Sequence, residues 1–134
     1  MGDLGGSVIV PPFQGGQQGV KHMSCIFCKI IKGEIAGDTV YRDDKVLALR
    51  DINPKAPVHI LILPLEHIPS LSDATVDHMP LFGHMVNKAN DLAKREGIAE
   101  SGYRLVINSG PDAGQDIHHL HLHLLGGRKL GWRT

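Results

Sequence analysis

The stretch Ile117–Leu125, "IHHLHLHLL", decides the fold prediction because imidazoles and apolar side chains alternate along it. Alternation at every second residue is the period of a β-strand, which directs successive side chains to opposite faces of a sheet. The pattern therefore predicts a strand with a row of imidazoles on one face and leucines packed on the other. The imidazoles are those of His119, His121 and His123.

The segments before this stretch indicate an α+β fold with an antiparallel sheet of about five strands. Strand patterns bounded by turn residues occur in hairpin order at residues 39–43, 45–51, 58–64 and 103–109. Apolar residues at helical spacing predict a short N-terminal helix at residues 24–32 and one long helix at residues 77–96. Because the strands outnumber the helices and follow one another as hairpins, an antiparallel α+β architecture is expected.

Length and charge place the chain among single-domain globular proteins. It has 134 residues with 14 basic and 14 acidic side chains, so it lacks the positive field that binding to nucleic acid or an anionic membrane requires. No apolar run approaches the roughly 20 residues of a membrane span. We therefore expect neither nucleic acid nor membrane as a partner.

The first 22 residues differ in composition from the rest of the chain. They are rich in Gly, Gln and Pro, follow no helical or strand period, and lack the pattern of a signal peptide. We interpret residues 1–22 as a disordered leader or a cloning remnant and residues 23–134 as the domain. Without a secretion signal a cytoplasmic, reducing location is expected, which disfavours a disulfide between Cys25 and Cys28.

Three interpretations of the histidine row compete with catalysis, namely hydrogen-bonded core or surface residues, a metal site, and surface residues without a role. The leucines between the histidines disfavour the last, because they indicate that the opposite face of the strand is buried. A Gly-rich turn, "GPDAGQD", directly precedes the row and allows backbone N–H groups to approach an anion. Gln115 adds a side-chain donor beside that turn. A neutral imidazole next to bound phosphate can attack phosphorus, and its neighbours can supply a proton to the leaving group. The combination favours catalysis over packing.

The residues from His118 to Arg128, "HHLHLHLLGGR", resemble the histidine triad signature, in which three histidines alternate with apolar residues. From about Cys25 to Trp132 the chain resembles the histidine triad nucleotide-binding proteins, in the branch that hydrolyses nucleoside phosphoramidates. The supporting segments stand in the same order along the chain. They are "IFCKIIKGEI", "ALRDINPKAPVHILILPLEHI", "YRLVINSG" and "LLGGRKLGW".

The resemblance implies a role for each histidine of the row. His121 matches the nucleophile that takes up the nucleotidyl group through Nε2, with Nδ1–H held by a backbone carbonyl. His119 and His123 flank it, and His59 matches a fourth histidine behind the triad. Gln115 matches the glutamine that contacts the phosphate and the attacking water. No cofactor is needed for such catalysis.

The resemblance also implies a nucleotide site. Asp51 matches the residue that accepts both ribose hydroxyls, a task suited to the two oxygens of a carboxylate. Apolar residues matching the slot for the base are Phe27, Leu49, Ile52 and Leu61, although from the residues alone ordinary core packing is the better explanation and only the resemblance favours a base slot. The remaining expected contacts to the nucleotide are Asn108, Gly114, Gln115, Asp116, His121, His123 and Trp132.

Asp116 has two alternative roles beside a phosphate. An ionised carboxylate there repels the substrate, whereas a protonated one donates a proton to the leaving group. We expect the ionised form because the Gly-rich turn should be accessible to solvent.

A second constellation is the Cys25-x-x-Cys28 pair, which is a weak signal on its own because two ligands do not make a metal site. The resemblance adds His67 and His119, which match zinc ligands of some bacterial relatives. A structural Zn²⁺ held by two cysteines and two histidines is therefore expected, the alternative being two free thiols.

Together these features predict a purine nucleoside phosphoramidase, and the resemblance implies that it is a homodimer. It would cleave the P–N bond of AMP or GMP conjugates through a covalent nucleotidyl-histidine intermediate. One alternative is a dinucleoside polyphosphate hydrolase, and another is a nucleotide- or metal-binding interaction module without relevant turnover. The "GGR" and "GW" tail after the triad favours the phosphoramidase branch.

Overall fold

The computed structural model describes residues 25–132, so the predicted leader at residues 1–22 and the start of the domain at residue 23 lie outside the described residues. The described chain has the predicted α+β composition. None of its helices is long and apolar enough to cross a membrane. In chain order the elements are α1 (Ile26–Ile31), β1 (Thr39–Arg42), β2 (Val46–Arg50), β3 (Val58–Pro64), α2 (Met79–Arg95), β4 (Tyr103–Val106) and β5 (Leu122–Gly126).

The five strands form one antiparallel sheet in the order β1-β2-β3-β5-β4. The last strand in sequence therefore lies inside the sheet, paired with β3 on one side and β4 on the other. In this register His123 lies opposite Leu61 on β3 and opposite Val106 on β4. A strand in this position has both edges paired and both faces available for packing, which explains its nearly continuous burial.

The sheet separates two apolar layers. Side chains on one face pack against the amphipathic helix α2, and those on the other face pack against the short helix α1. Because side chains alternate along a strand, His59 and His123 point to the same face as Leu61, which is the face that α1 covers. The leucines of the histidine stretch, Leu120, Leu122 and Leu124, belong to the layer under α2.

The histidine strand is shorter than its alternation predicts. The sheet ladder begins at Leu122, so of the three triad histidines only His123 is part of β5. The physical reason is that the neighbouring strand β3 ends at Pro64, which has no N–H with which to extend the ladder. The N–H of Leu120 donates instead to the carbonyl of Ile68, at 2.7 Å, beyond the end of β3. The division of faces nevertheless holds, because His119 and His121 both contact Phe27 of α1.

Other element ends differ from their predicted positions by one to three residues. The strand predicted at residues 103–109 ends at Val106, and the first residues of the predicted long helix form a separate 3₁₀ turn, Val76–His78. Helix ends often tighten into a 3₁₀ turn, and such shifts do not change which residues face the core.

Candidate active site

A cavity of about 950 Å³ opens on the α1 face of the sheet, beside His121 and His123. Its apolar wall comes from α1, β2 and β3, and its polar wall comes from the loops after β2 and β4. The predicted nucleotide contacts that line it are Phe27, Leu49, Asp51, Ile52, Leu61, Asn108, Gly114, Asp116, His121 and His123. The predicted fourth histidine, His59, lines it as well.

His121 presents one defined ring nitrogen for chemistry. Its Nδ1 lies 2.7 Å from the backbone carbonyl of His119, so Nδ1 carries the proton and donates to that carbonyl. The other nitrogen, Nε2, is left with its lone pair. The ring is 6% exposed and packs edge-on against Phe27 with ring centroids 5.3 Å apart. This fixed tautomer and orientation suit a nucleophile.

His123 and His59 form a hydrogen-bonded pair with the opposite tautomer. The N–H of Lys55 donates to Nδ1 of His59 at 3.0 Å, so the proton of the neutral His59 ring resides on Nε2. That Nε2–H donates to Nδ1 of His123, which lies 2.9 Å away. The proton of His123 is consequently on its own Nε2. Of the two triad imidazoles in the cavity, His121 therefore presents a lone pair on Nε2 and His123 presents an N–H donor on Nε2.

Burial keeps this pair uncharged at neutral pH. The pKa of His123 is lowered to about 4, chiefly by desolvation and next by the neighbouring His121 and His59 rings, while the carboxylates of Asp51 and Asp116 act in the opposite direction. Desolvation also lowers the pKa of His59, with Asp51 acting in the opposite direction. His123 is thus a neutral hydrogen-bond donor in the physiological range.

Asp51 lies at the end of β2, where the chain leaves the sheet. One of its oxygens accepts a hydrogen bond from the N–H of Asn53 at 2.8 Å, and the other lies 3.4 Å from Nε2 of His59. Each carboxylate oxygen can accept two hydrogen bonds, so both oxygens retain capacity for a ligand hydroxyl. Asp51 therefore combines fixed orientation with free acceptor capacity at the cavity wall.

Gln115 is arranged differently from its expected role at the phosphate. Its side chain is buried and is not part of the cavity lining. The amide oxygen accepts from the N–H of Gly110 at 3.0 Å, and the amide nitrogen donates to the carbonyls of Pro69 and Ile117 at 2.7 and 3.0 Å. Gln115 thus ties the Gly-rich turn to the segment after β3.

The Gly-rich turn also uses its own N–H groups internally. The N–H of Gly114 donates to the carbonyl of Pro111, and the N–H of Gln115 donates to the carbonyl of Gly110. Gly114 has φ +83°, in the left-handed region that favours glycine, so its residue type serves the turn. The expected cradle of donors at these two residues is therefore engaged in holding the loop.

Two further predicted residues have contrasting positions. Asp116 lines the cavity and is exposed, and its carboxylate makes neither a hydrogen bond nor an ion pair with any residue from 25 to 132. Trp132 is 95% exposed and is not part of the cavity lining. The structure thus brings Asp116, but not Trp132, to the site.

The four predicted metal ligands meet in one buried cluster between α1 and the start of the histidine segment. Their ligand atoms all lie within 4.8 Å of one another, with Sγ–Nδ1 separations of 3.2 to 3.6 Å. A tetrahedral zinc with ordinary Zn–S and Zn–N bonds spaces sulfur and nitrogen about 3.5 Å apart. The cluster consists of Cys25, Cys28, His67 and His119, and its spacing fits such an ion.

The protonation states in this cluster also suit a metal. Nε2 of His119 donates to the carbonyl of Pro64 at 2.8 Å, which leaves the Nδ1 lone pair directed at the sulfurs. The pKa of the Cys25 thiol is strongly lowered, chiefly by a hydrogen bond from Cys28, whose own pKa is raised by the same interaction. The pair therefore holds a thiolate readily, and thiolate is the form of cysteine that binds metal.

A second group of potential ligands, Asp51, His59 and His123, does not suit a metal. The Lys55 N–H occupies Nδ1 of His59, so Nε2 of that ring carries a proton and has no lone pair for an ion. That proton is already donated to His123. This group is better described as a hydrogen-bonded chain that sets tautomers.

Lys55 is the functional position that the sequence does not reveal. It acts through its backbone N–H, and any residue except proline supplies that group.

The rest of the cavity wall includes apolar residues of α1 and the following loop, Ile26, Ile30 and Ile35. The helical spacing of Ile26 and Ile30 predicted only the helix at residues 24–32, because a cavity wall and a core face have the same apolar pattern.

Comparison with known proteins finds similar sequences over about four-fifths of the chain. A family model described as "Scavenger mRNA decapping enzyme C-term binding" matches residues 24–131. The purine nucleoside phosphoramidase of Escherichia coli (strain K12) is 52% identical over 106 residues, which cover 79% of this chain and 89% of that protein. The 14 kDa zinc-binding protein of Zea mays is 50% identical over 109 residues, covering 80% and 84%.

The solved structures include a HIT family hydrolase from Legionella pneumophila Philadelphia 1. It superimposes with a TM-score of 0.80 at 47% sequence identity, over 81% of this chain and 97% of that one.

The lowered pKa values predict a stability that depends on pH. Between about pH 6.5 and pH 4 the unfolded chain binds protons at His59 and His123 that the folded chain does not, so the free energy of unfolding should fall as pH falls through this window. Urea unfolding of the wild type and of His123→Asn over this range measures the effect. The variant should lose less stability on acidification, and parallel losses in both proteins would contradict the assignment.

Proposed function

The chain belongs to the histidine triad (HIT) family of hydrolases, and we propose that it cleaves the P–N bond of purine nucleoside phosphoramidates and releases the nucleoside monophosphate. The observation that carries the proposal is the hydrogen bond from Nδ1–H of His121 to the His119 carbonyl, which leaves Nε2 as a nucleophile beside the N–H of His123. The choice of a P–N bond is supported by the Escherichia coli relative, a purine nucleoside phosphoramidase.

The reaction would proceed in two displacements at phosphorus. In the first, the lone pair on Nε2 of His121 forms a P–N bond as the bond from phosphorus to the substrate amine breaks, and the departing nitrogen takes up one proton from the solvent. The phosphorylated ring then carries a positive charge, which the His119 carbonyl stabilises through Nδ1–H. In the second, water attacks phosphorus and releases one proton to the solvent, and the His121 ring leaves as a neutral imidazole.

The neighbouring side chains would stabilise charge and position the nucleotide. His123 would donate a hydrogen bond from its Nε2–H to a phosphoryl oxygen or to the departing nitrogen. His59 keeps the proton of His123 on Nε2 by donating its own Nε2–H to Nδ1 of His123. Asp51 would accept the ribose hydroxyls, and the base would lie against the apolar wall that includes Phe27 and Leu61. Gln115 would act indirectly, by holding the loop that carries Asp116.

We also propose that the Cys25–Cys28–His67–His119 cluster holds one Zn²⁺, since its spacing fits tetrahedral coordination and a Zea mays relative is a zinc-binding protein. When bound, the ion would join the start of α1 to the segment before β5.

The homodimer remains a prediction that the molar mass in solution tests. A cytoplasmic location is proposed as well, in keeping with two free, buried cysteines.

The nucleophile is tested with His121→Ala and the matched control His118→Ala, which removes an exposed neighbouring histidine that does not line the cavity. Release of AMP from adenosine 5′-phosphoramidate should fall at least about 1,000-fold in His121→Ala, because the attacking atom is lost, while AMP binding persists. His118→Ala should retain activity. Turnover within tenfold of wild type in His121→Ala would contradict the covalent route. If the wild type hydrolyses a diadenosine polyphosphate faster than the phosphoramidate, the alternative function, a dinucleoside polyphosphate hydrolase, would be favoured.

The charge of Asp116 is tested with Asp116→Asn, using Asp112→Asn in the same loop as a control that does not line the cavity. An ionised carboxylate near the phosphate weakens binding, so KM should fall by up to about fivefold, which corresponds to about 1 kcal/mol for an exposed charge pair. The difference should shrink as salt is added. A fall in kcat with unchanged KM would instead assign Asp116 as a proton donor.

The metal is tested by elemental analysis of protein purified without chelators and with reduced thiols. One zinc per chain is expected, and Cys28→Ser should lower the zinc content and the melting temperature, because a ligand bound only by the folded state stabilises it. Wild-type protein that stays metal-free when supplied with Zn²⁺ would exclude the site.

A further inference from the structure

The nucleophile lies on a segment that the sheet itself does not hold. Residues 118–121 precede β5 and make no ladder hydrogen bonds with β3 or β4. Two contacts, one at the last residue of β3 and one beyond it, hold the segment instead. The N–H of Leu120 donates to the Ile68 carbonyl at 2.7 Å, and Nε2 of His119 donates to the Pro64 carbonyl at 2.8 Å. The position of His121 therefore depends on one backbone contact and one side-chain contact of the segment rather than on the sheet ladder.

His119 links the metal-ligand cluster to the nucleophile within a single residue. Its imidazole is fully buried, and its Nδ1 lies 3.4 Å from Sγ of Cys25 and 3.6 Å from Sγ of Cys28. Its backbone carbonyl is the acceptor that fixes the tautomer of His121, at 2.7 Å. A change in the position of the His119 ring thus changes the direction of the carbonyl on which the reactive tautomer depends.

Phe27 provides a second link between the same two places. It lies on α1 between the two cysteines, and its ring packs edge-on against His119 and His121, with centroids 5.8 and 5.3 Å away. It also lines the cavity. Because Cys25 caps the N-terminus of α1 and Cys28 lies on it, any ion held by the cysteines also fixes the helix that carries Phe27.

We propose that occupancy of this cluster positions the nucleophile, so that the cluster governs the turnover step as well as stability. The proposal rests on the function proposed above for His121. The four ligands are positioning residues, which act through the His119 carbonyl and the Phe27 ring and do not themselves touch the substrate.

The consequence of an empty cluster follows from tautomer chemistry. Without an ion, the His119 ring keeps its hydrogen bond at Nε2 but has at Nδ1 only the longer contacts to the two cysteine sulfurs, and α1 loses its connection to His67 and His119 through the metal. A less well-directed His119 carbonyl no longer favours the proton on Nδ1 of His121, so the tautomer protonated at Nε2 gains population. That form has no lone pair at the attacking position. The fraction of protein molecules with a lone pair on Nε2 of His121 therefore falls, while the part of the cavity wall formed by β2 and β3 stays in place.

The experiment compares full-length protein loaded with Zn²⁺ and the same protein stripped by a chelator in the presence of a reductant. Long-range ¹H–¹⁵N spectra of histidine-labelled protein report the tautomer of His121 directly, without substrate. In the loaded form we expect a single tautomer with a slowly exchanging Nδ1–H. In the stripped form that proton signal should broaden or disappear, and Zn²⁺ should restore it.

Kinetics on adenosine 5′-phosphoramidate provide the second measurement. Removal of Zn²⁺ should lower kcat by about 100-fold, the loss expected when a catalytic group is displaced by about 1 Å, with little change in KM. Leu92→Ala serves as a control for instability, because Leu92 packs in the layer under α2 on the other face of the sheet. A loaded Leu92→Ala protein should keep the wild-type histidine spectrum and kcat despite a lower melting temperature.

If the stripped protein unfolds, His67→Ala replaces it in both measurements, since this variant removes a ligand that is remote in sequence from His121. An unchanged His121 Nδ1–H signal in folded, zinc-free protein, or an unchanged kcat, would overturn the proposal. A loaded wild type that shows the expected spectrum but no turnover would refute the proposed function alone, because the spectrum is recorded without substrate.

Discussion

The hydrogen bond from Nδ1–H of His121 to the backbone carbonyl of His119 is the interaction on which the chemistry of this molecule depends. An imidazole near neutral pH is a mixture of tautomers unless a partner selects one. A carbonyl can only accept, so it selects the form with the proton on Nδ1 and the lone pair on Nε2. The fold serves to hold that carbonyl, two residues away, in the required direction.

Backbone groups set the other tautomers in the same way. The Lys55 N–H can only donate, which assigns the proton of His59 to Nε2 and, through it, the proton of His123 to Nε2. The Pro64 carbonyl accepts from Nε2 of His119 and leaves Nδ1 of that ring for the sulfurs. Three of these four imidazoles meet a different main-chain partner, and the fourth, His123, meets the Nε2–H of His59. These partners suit four chemically identical rings to the four different roles proposed for them.

The periodicity of the sequence predicted the antiparallel sheet, both helices and the division of leucines and histidines between two faces, since these features depend on which side chains are buried. It did not predict that the ladder stops at Leu122, because that end is set by Pro64 and by a contact to Ile68, which are distant in sequence. The backbone role of Lys55 leaves no trace in residue type. The inward turn of the Gln115 amide depends on loop geometry, which the pattern of residues does not encode.

The stereochemistry at phosphorus tests the central claim most directly. A nucleoside phosphoramidate made chiral at phosphorus with oxygen isotopes is hydrolysed in labelled water, and the configuration of the product monophosphate is read by ³¹P spectroscopy. Two successive in-line displacements, first by His121 and then by water, each invert the phosphorus centre, so the account predicts overall retention. Inversion would mean that water attacks the substrate directly and that His121 never bonds to phosphorus.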